Sequence, residues 1–196
     1  MALKAKKKKY YTPEEYLALE EMAEFRSEFD DGEIVAMAGG SLNHQQITAN
    51  FARILGTKVR GKNCRVLPSE MKVWVQTNRK FYYPDVTVIC DKPKFHKERN
   101  DSIENPKLLI EVLSKSTEAK DRGEKFFAYQ NLESVEEYVL VSQDKYLVEK
   151  FTKQNDGSWK YLATIGIESE VYFESVEETL KLSEIYDLVE LETNKL

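Results

Sequence analysis

The sequence predicts a mixed α/β (α+β) domain in which a central sheet is flanked by helices. Three observations carry this prediction: a helix, hairpin and helix precede a run of β-branched segments, a helical stretch separates that run from a later set of alternating strands, and no Gly- or Pro-rich linker divides the chain. Residues 1–10 are expected to form a flexible basic tail and residues 11–196 a single domain.

The first helix is expected in "TPEEYLALEEMAEF", where Thr12 is placed as N-cap, Pro13 takes the first helical position and Glu15 completes a capping box. Asp30-Asp31-Gly32 then lies between two short runs and signals a hairpin. Ser41 caps a longer helix whose Ile47, Phe51, Ile54 and Leu55 recur on one face. The segments "CRVLP", "MKVWVQT", "PDVTVICD" and "PKLLIEVLS" read as strands, because Val73, Val75, Val86, Val88 and Ile110 supply the β-branched residues strands favour. A third helix is expected from about Glu118 to Leu132. "EEYVLVS", "KYLVEKFT", "SWKYLATI" and "EVYFE" interleave polar and apolar residues as antiparallel strands do. A closing helix is expected in "SVEETLKLSEIYDLV".

A chain of 196 residues with 41% hydrophobic and 32% charged residues is long and apolar enough for one substantial core, which excludes a disordered or fibrous class. No apolar run approaches the roughly 20 residues needed to span a bilayer, and the lysine-rich start leads into no apolar segment. Neither a membrane partner nor a secretory signal is expected, and the predicted location is cytoplasmic. Cys64 and Cys90 form no CxxC pair and are expected to be buried free thiols. Five of the first nine residues are lysines; without them the formal charge of −5 falls to near −10. Such a body lacks the basic face that indiscriminate nucleic-acid binding requires, so any polyanion site must be local.

"LLIEVLSKS" is the most informative stretch. Glu111 interrupts a strand that otherwise reads as buried, and an unpaired carboxylate there costs several kcal/mol unless a proton, a cation or a metal compensates it. Alternation puts Glu111 on one face with Leu109 and Leu113, and Leu108, Ile110 and Val112 on the other. Pro84 belongs at a strand start, which places Asp85 at that strand's mouth. If the two strands are neighbours, the carboxylates converge, and a hard divalent cation such as Mg²⁺ would resolve their repulsion. The alternative is structural: Glu111 pairs with a lysine.

Pro84-Asp85, Glu111-Val112-Leu113 and a following helix carrying Lys125 resemble the PD-(D/E)XK nuclease superfamily. More narrowly, "SEFDDGEIVAMAG", "NHQQI", "YPDVTVICD", "PKLLIEVLSKST", "DRGEKFFAYQN" and "VEEYVLV" resemble the Uma family of restriction-endonuclease-like proteins, over most of the chain from Tyr11 onward. The resemblance implies a restriction-endonuclease-like core of a helix at 42–60, strands near 71, 85 and 108, a helix at 118–132 and a strand near 136. It also implies Mg²⁺ or Mn²⁺ held by Asp85, Glu111 and the Val112 carbonyl, hydrolysis of nucleic acid and most of all DNA, and by analogy a homodimer. The other reading it leaves open is a catalytically inactive nuclease-fold module for binding or assembly.

One position departs from the superfamily pattern. The motif lysine belongs two residues after the acid, where this chain has Leu113. The resemblance assigns the role to Lys125, with Lys115 as the rival and a surface pair of Lys125 with Asp121 as the bland alternative. Glu33 after the hairpin turn is the implied supplementary acid, with Glu28 one strand earlier as its alternative. His44 is a capping, supporting or catalytic candidate, and Tyr129 is read as a packing residue. The charged stretch 91–106, which includes His96, is either a substrate flap or a solvated loop.

Overall fold

The computed structural model describes residues 10–191, so the lysines of the expected basic tail lie outside the described residues. Helix α1 (Pro13–Glu21) begins as the sequence indicates: Thr12 Oγ1 accepts from Glu15 N at 3.1 Å while Glu15 Oε2 accepts from Thr12 N at 2.9 Å. Strands β1 (Ser27–Asp30) and β2 (Glu33–Ala36) form the hairpin, and Gly32 turns it at φ 102°, a conformation that side chains resist. Helix α2 (Leu42–Lys58) starts where Ser41 Oγ accepts from His44 N at 3.1 Å.

The remaining strands are β3 (Cys64–Pro68), β4 (Lys72–Val75), β5 (Lys80–Tyr82), β6 (Val86–Cys90), β7 (Ser102–Ile103), β8 (Leu108–Leu113), β9 (Glu137–Ser142), β10 (Leu147–Lys153), β11 (Trp159–Ile165), β12 (Glu170–Phe173) and β13 (Glu178–Lys181). Six of them form the central mixed sheet in the order β11-β10-β9-β8-β6-β3, and five form a second sheet in the order β2-β1-β5-β4-β7. Strands β8 and β9 are parallel, so the chain between them must cross over, and it does so through the helical stretch 118–129. That stretch is α-helical in α3 (Glu118–Lys120), π-helical over Asp121–Lys125 and α-helical again in α4 (Phe126–Tyr129).

Every residue of β8 is buried, and its two faces meet different partners. Leu108, Ile110 and Val112 join the core under α2 with Ile47, Phe51, Ile54 and Leu55. Leu109 and Leu113 pack on the other side with Tyr129, Tyr138 and residues of β4 and β5. Glu111 therefore enters the layer between the central sheet, the 118–129 helix and the second sheet.

Several expectations are corrected. The strand near 71 belongs to the second sheet, and β3 takes its expected place beside β6. Residues 175–189 are not one helix: Glu178–Lys181 pairs with β12, because Leu180 and Leu182 continue an alternating buried pattern, and only α5 (Leu182–Ile185) is helical. The cysteines are not free thiols. Cys64 and Cys90 stand opposite each other on the antiparallel β3–β6 pair and are joined in a disulfide. The 91–106 stretch is tied down rather than free: Ser102–Ile103 pairs with β4, and His96 is buried against the Trp74 and Phe81 rings with Nδ1 2.8 Å from Glu104 Oε1. Two of its cations are engaged, Lys97 by Glu14 and Arg99 by Asp101.

Candidate active site

The β6–β8 pairing aligns Val86 with Ile110, so Asp85, one residue before β6, arrives beside the Glu111–Val112 step of β8. Asp85 Oδ2 accepts a 2.7 Å hydrogen bond from Val112 N, and the Asp85 carbonyl accepts from Ser69 N at 2.9 Å. The aspartate is thus fixed at both its side chain and its backbone. His44, in the first turn of α2, brings Nε2 to 3.2 Å from Asp85 Oδ2. Burial disfavours the charged imidazole, but Asp85 outweighs this and the histidine's pKa is raised. A Cβ on Gly40 would come within 2.8 Å of His44 Nδ1, so a glycine is needed where the chain passes this ring.

Glu111 is 3% exposed, and its Oε1 accepts from Lys125 Nζ at 3.0 Å and from the Tyr129 hydroxyl at 3.1 Å. Burial pushes this carboxyl well above the usual range; Lys125 opposes the shift, while Asp121, Asp85 and Glu28 add to it. Lys125 is 5% exposed and also lies 3.1 Å from Glu28 Oε1 and 3.2 Å from Asp121 Oδ1. Burial works against its ammonium, yet Glu111, Glu28 and Asp121 outweigh burial and hold it charged. Glu28 is itself buried, but Lys125 and Lys120, the latter 2.7 Å from Oε2, keep its pKa below the usual value.

The sequence candidates are therefore sorted by position. Asp85, Glu111, Val112, His44, Lys125 and Glu28 line one cleft of about 550 Å³. Glu33 does not line it; it pairs with Asp30, two positions closer to the hairpin turn than the Glu28–Val35 pair. Lys115 is exposed in the turn after β8, outside the cleft lining. Asp121, read as half of a surface pair, is buried in the π-helical segment, a distortion often found at functional sites. Tyr129 packs as expected but also donates to Glu111, and the sequence held no signal for that bond beyond its spacing one turn from Lys125.

Among the described residues, no group of three or more His, Cys, Asp and Glu side chains is arranged around one point as metal ligands. The donors present are nevertheless hard oxygens in excess of the cations beside them. Glu28 Oε1 and Asp121 Oδ1 make no hydrogen bond beyond their ion-pair contacts with Lys125. Those two are held by Lys125, while Asp85 and Glu111 use Oδ2 and Oε1 in their hydrogen bonds here and fit, through their second oxygens, a cation that keeps most of its waters and takes one or two carboxylates rather than a closed protein cage.

The profile of the Uma2 family, described as "Putative restriction endonuclease", matches residues 13–185. The chain belongs to the Uma2 family. Its relatives include two proteins of Synechocystis sp., the uncharacterized protein sll1609, 36% identical over 84% of this chain and 93% of that one, and the uncharacterized protein slr1290, 38% identical over 77% and 78%. The fold is similar to a crystal structure of a "putative nuclease belonging to DUF820" from Anabaena variabilis, with a TM-score of 0.71, 18% identity and coverage of 90% and 97%. The Uma2 chain thus has a restriction-endonuclease-like α+β fold, as the sequence predicts. Within it the motif-lysine slot is filled by Leu113, a core residue, and the ammonium nearest Glu111 comes from the next helix.

Proposed function

We propose that this Uma2-family protein is a Mg²⁺- or Mn²⁺-dependent endonuclease that hydrolyses phosphodiester bonds of DNA in the cytoplasm. The observation that carries the reading is the convergence of Asp85 and Glu111 at one end of the β6–β8 pair, with Lys125 on Glu111. Asp85, Glu111 and the Val112 carbonyl would hold the cation, which supplies a bound water of lowered pKa and offsets phosphate charge. The other roles belong to the chain itself. Lys125, kept charged by three carboxylates, faces charge developing on the scissile phosphate. Val112 N and His44 fix the Asp85 carboxylate, while Tyr129 and Lys125 fix that of Glu111. Glu28 and Asp121 position Lys125.

A second reading, a binding or assembly module without turnover, draws on one feature: Lys125 already compensates Glu111. Cleavage of a DNA and RNA panel with Mg²⁺ or Mn²⁺ separates the two readings. The nuclease reading expects a rate loss on the order of 10²-fold or more in Asp85→Asn and Glu111→Gln. It also expects a metal-dependent rise in melting temperature that both variants lose. Cleavage intact in both variants would overturn the assignment, and no cleavage with no thermal shift would favour the module.

A further inference from the structure

The cleft around Asp85 and Glu111 is unusual for a site meant to grip a duplex. Five carboxylates line it (Glu28, Glu70, Asp85, Glu111, Asp121) against three permanent cations. Each cation is already engaged: Lys125 by three carboxylates, Lys120 by Glu28 and Arg26 by Glu70. Both forms of DNA draw on lysines and arginines that neutralise phosphates and release counterions, the duplex more heavily because its phosphates are more densely spaced, and the described part of this cleft offers none to spare. It offers apolar surface instead. Phe25, 79% exposed, lies between α1 and β1, and Val35 and Met37 project from β2 and the residues just after it. All three line the same cleft as the acids. Exposed apolar residues scattered singly need no explanation, but three on the wall of one acidic cleft do. The turn after β8 contributes Ser114, Ser116 and Thr117, hydroxyls suited to a sugar or phosphate oxygen.

We propose that the cleft takes an unpaired DNA strand, its bases lying against Phe25, Val35 and Met37, in preference to an intact duplex. This rests on the nuclease reading above. An unpaired base presents a π-face that stacks on aromatic and apolar side chains without sequence preference, whereas a duplex keeps those faces stacked inside. Cleavage of a single strand also needs only one active site, so this substrate does not require the homodimer expected for cutting both strands of a duplex.

The test compares kcat/KM for a fluorescein-labelled DNA oligonucleotide, single-stranded or annealed to its complement, in Mg²⁺ with the full chain. The expected ratio is about tenfold or more in favour of the single strand, the size of one stacked base. Phe25→Ala should raise KM for the single strand by about the same factor with kcat little changed, and Phe25→Trp should restore it. Phe25 is exposed, so neither variant threatens folding. Equal or faster cleavage of the duplex, or a KM indifferent to Phe25→Ala, would overturn the inference and leave the nuclease reading standing. Absence of cleavage of either form would overturn both.

Discussion

Lys125 Nζ lies 3.0 Å from Glu111 Oε1, although the two residues are 14 positions apart and the slot two residues after Glu111 holds a buried leucine. The ammonium reaches the acid across the layer between helix and sheet. Lys125 is also the charge that keeps Glu28, Glu111 and Asp121 together. Lys125→Met should therefore lower stability by about 3–5 kcal/mol, the usual cost of leaving a buried charge without its partner. Glu111→Gln added to Lys125→Met should recover much of that loss, while each variant alone lacks cleavage. Urea denaturation and the cleavage assay check both halves. Wild-type activity in Lys125→Met would remove it from the site.

Glu28 and Glu33 stand on the same face of the β1–β2 hairpin, because Glu28 pairs with Val35 and Asp30 with Glu33. Only Glu28 reaches Lys125 and Lys120. Glu28→Gln is expected to reduce cleavage on the order of 10²-fold by releasing Lys125 from its position. Glu33→Gln should leave the rate within about twofold, because Glu33 does not line the cleft. The reverse ranking, measured side by side at saturating metal, would place the hairpin acid at Glu33 instead.

These pairs also show what the sequence can and cannot carry. The shared face of Leu109, Glu111 and Leu113 follows from the two-residue period of a strand, and the caps at Thr12 and Ser41 follow from local chemistry; all of these are legible without tertiary knowledge. Choosing Glu28 over Glu33 depends on how the second sheet sits against the 118–129 helix, which no local pattern encodes. Asp121 at i−4 from Lys125 looks like a surface pair, yet it is buried in the π-helical turn, where the Tyr138 hydroxyl donates to its carbonyl at 2.8 Å. The short strand β7 rests on β4 and β5 rests partly on β1, partners distant in the chain, while the Glu178–Lys181 strand pairs with the adjacent β12 inside a stretch whose spacing reads as helical.

Cys64 and Cys90 close a loop of 26 residues across β3 and β6, the strand that follows Asp85 directly. On the chain-entropy account, a loop of this length stabilises the folded state by about 3.5 kcal/mol. Thermal unfolding with and without dithiothreitol should show a melting temperature several degrees lower in the reduced protein. Cys64→Ser with Cys90→Ser should match the reduced value and show no further response to reductant. Alkylation and mass measurement of the untreated protein supply the check on the pair itself, since two reactive thiols would contradict the disulfide.

Away from the cleft, Lys150 and Glu137 form a second buried ion pair at 3.0 Å that fastens the central sheet to the β12–β13 hairpin. Lys150 also donates to the Tyr172 carbonyl and meets Glu174, while Glu137 accepts from Glu174 N at 3.1 Å and Ser175 N at 2.9 Å. Burial pushes the Glu137 carboxyl up despite these donors and the nearby ammonium. Removing the lysine should thus leave a buried acid that is hydrogen-bonded but short of its cation. Lys150→Met is expected to cost about 3–5 kcal/mol in urea denaturation. With Glu137→Gln added, which keeps an oxygen for the Ser175 amide and removes the charge, the loss should shrink to about 1 kcal/mol. Because Lys150 takes no part in the cleft, cleavage by the folded fraction of Lys150→Met should match wild type well below its melting temperature. A single variant as stable as wild type would mean that the hairpin is held by its apolar contacts through Val171, Phe173 and Leu180 alone.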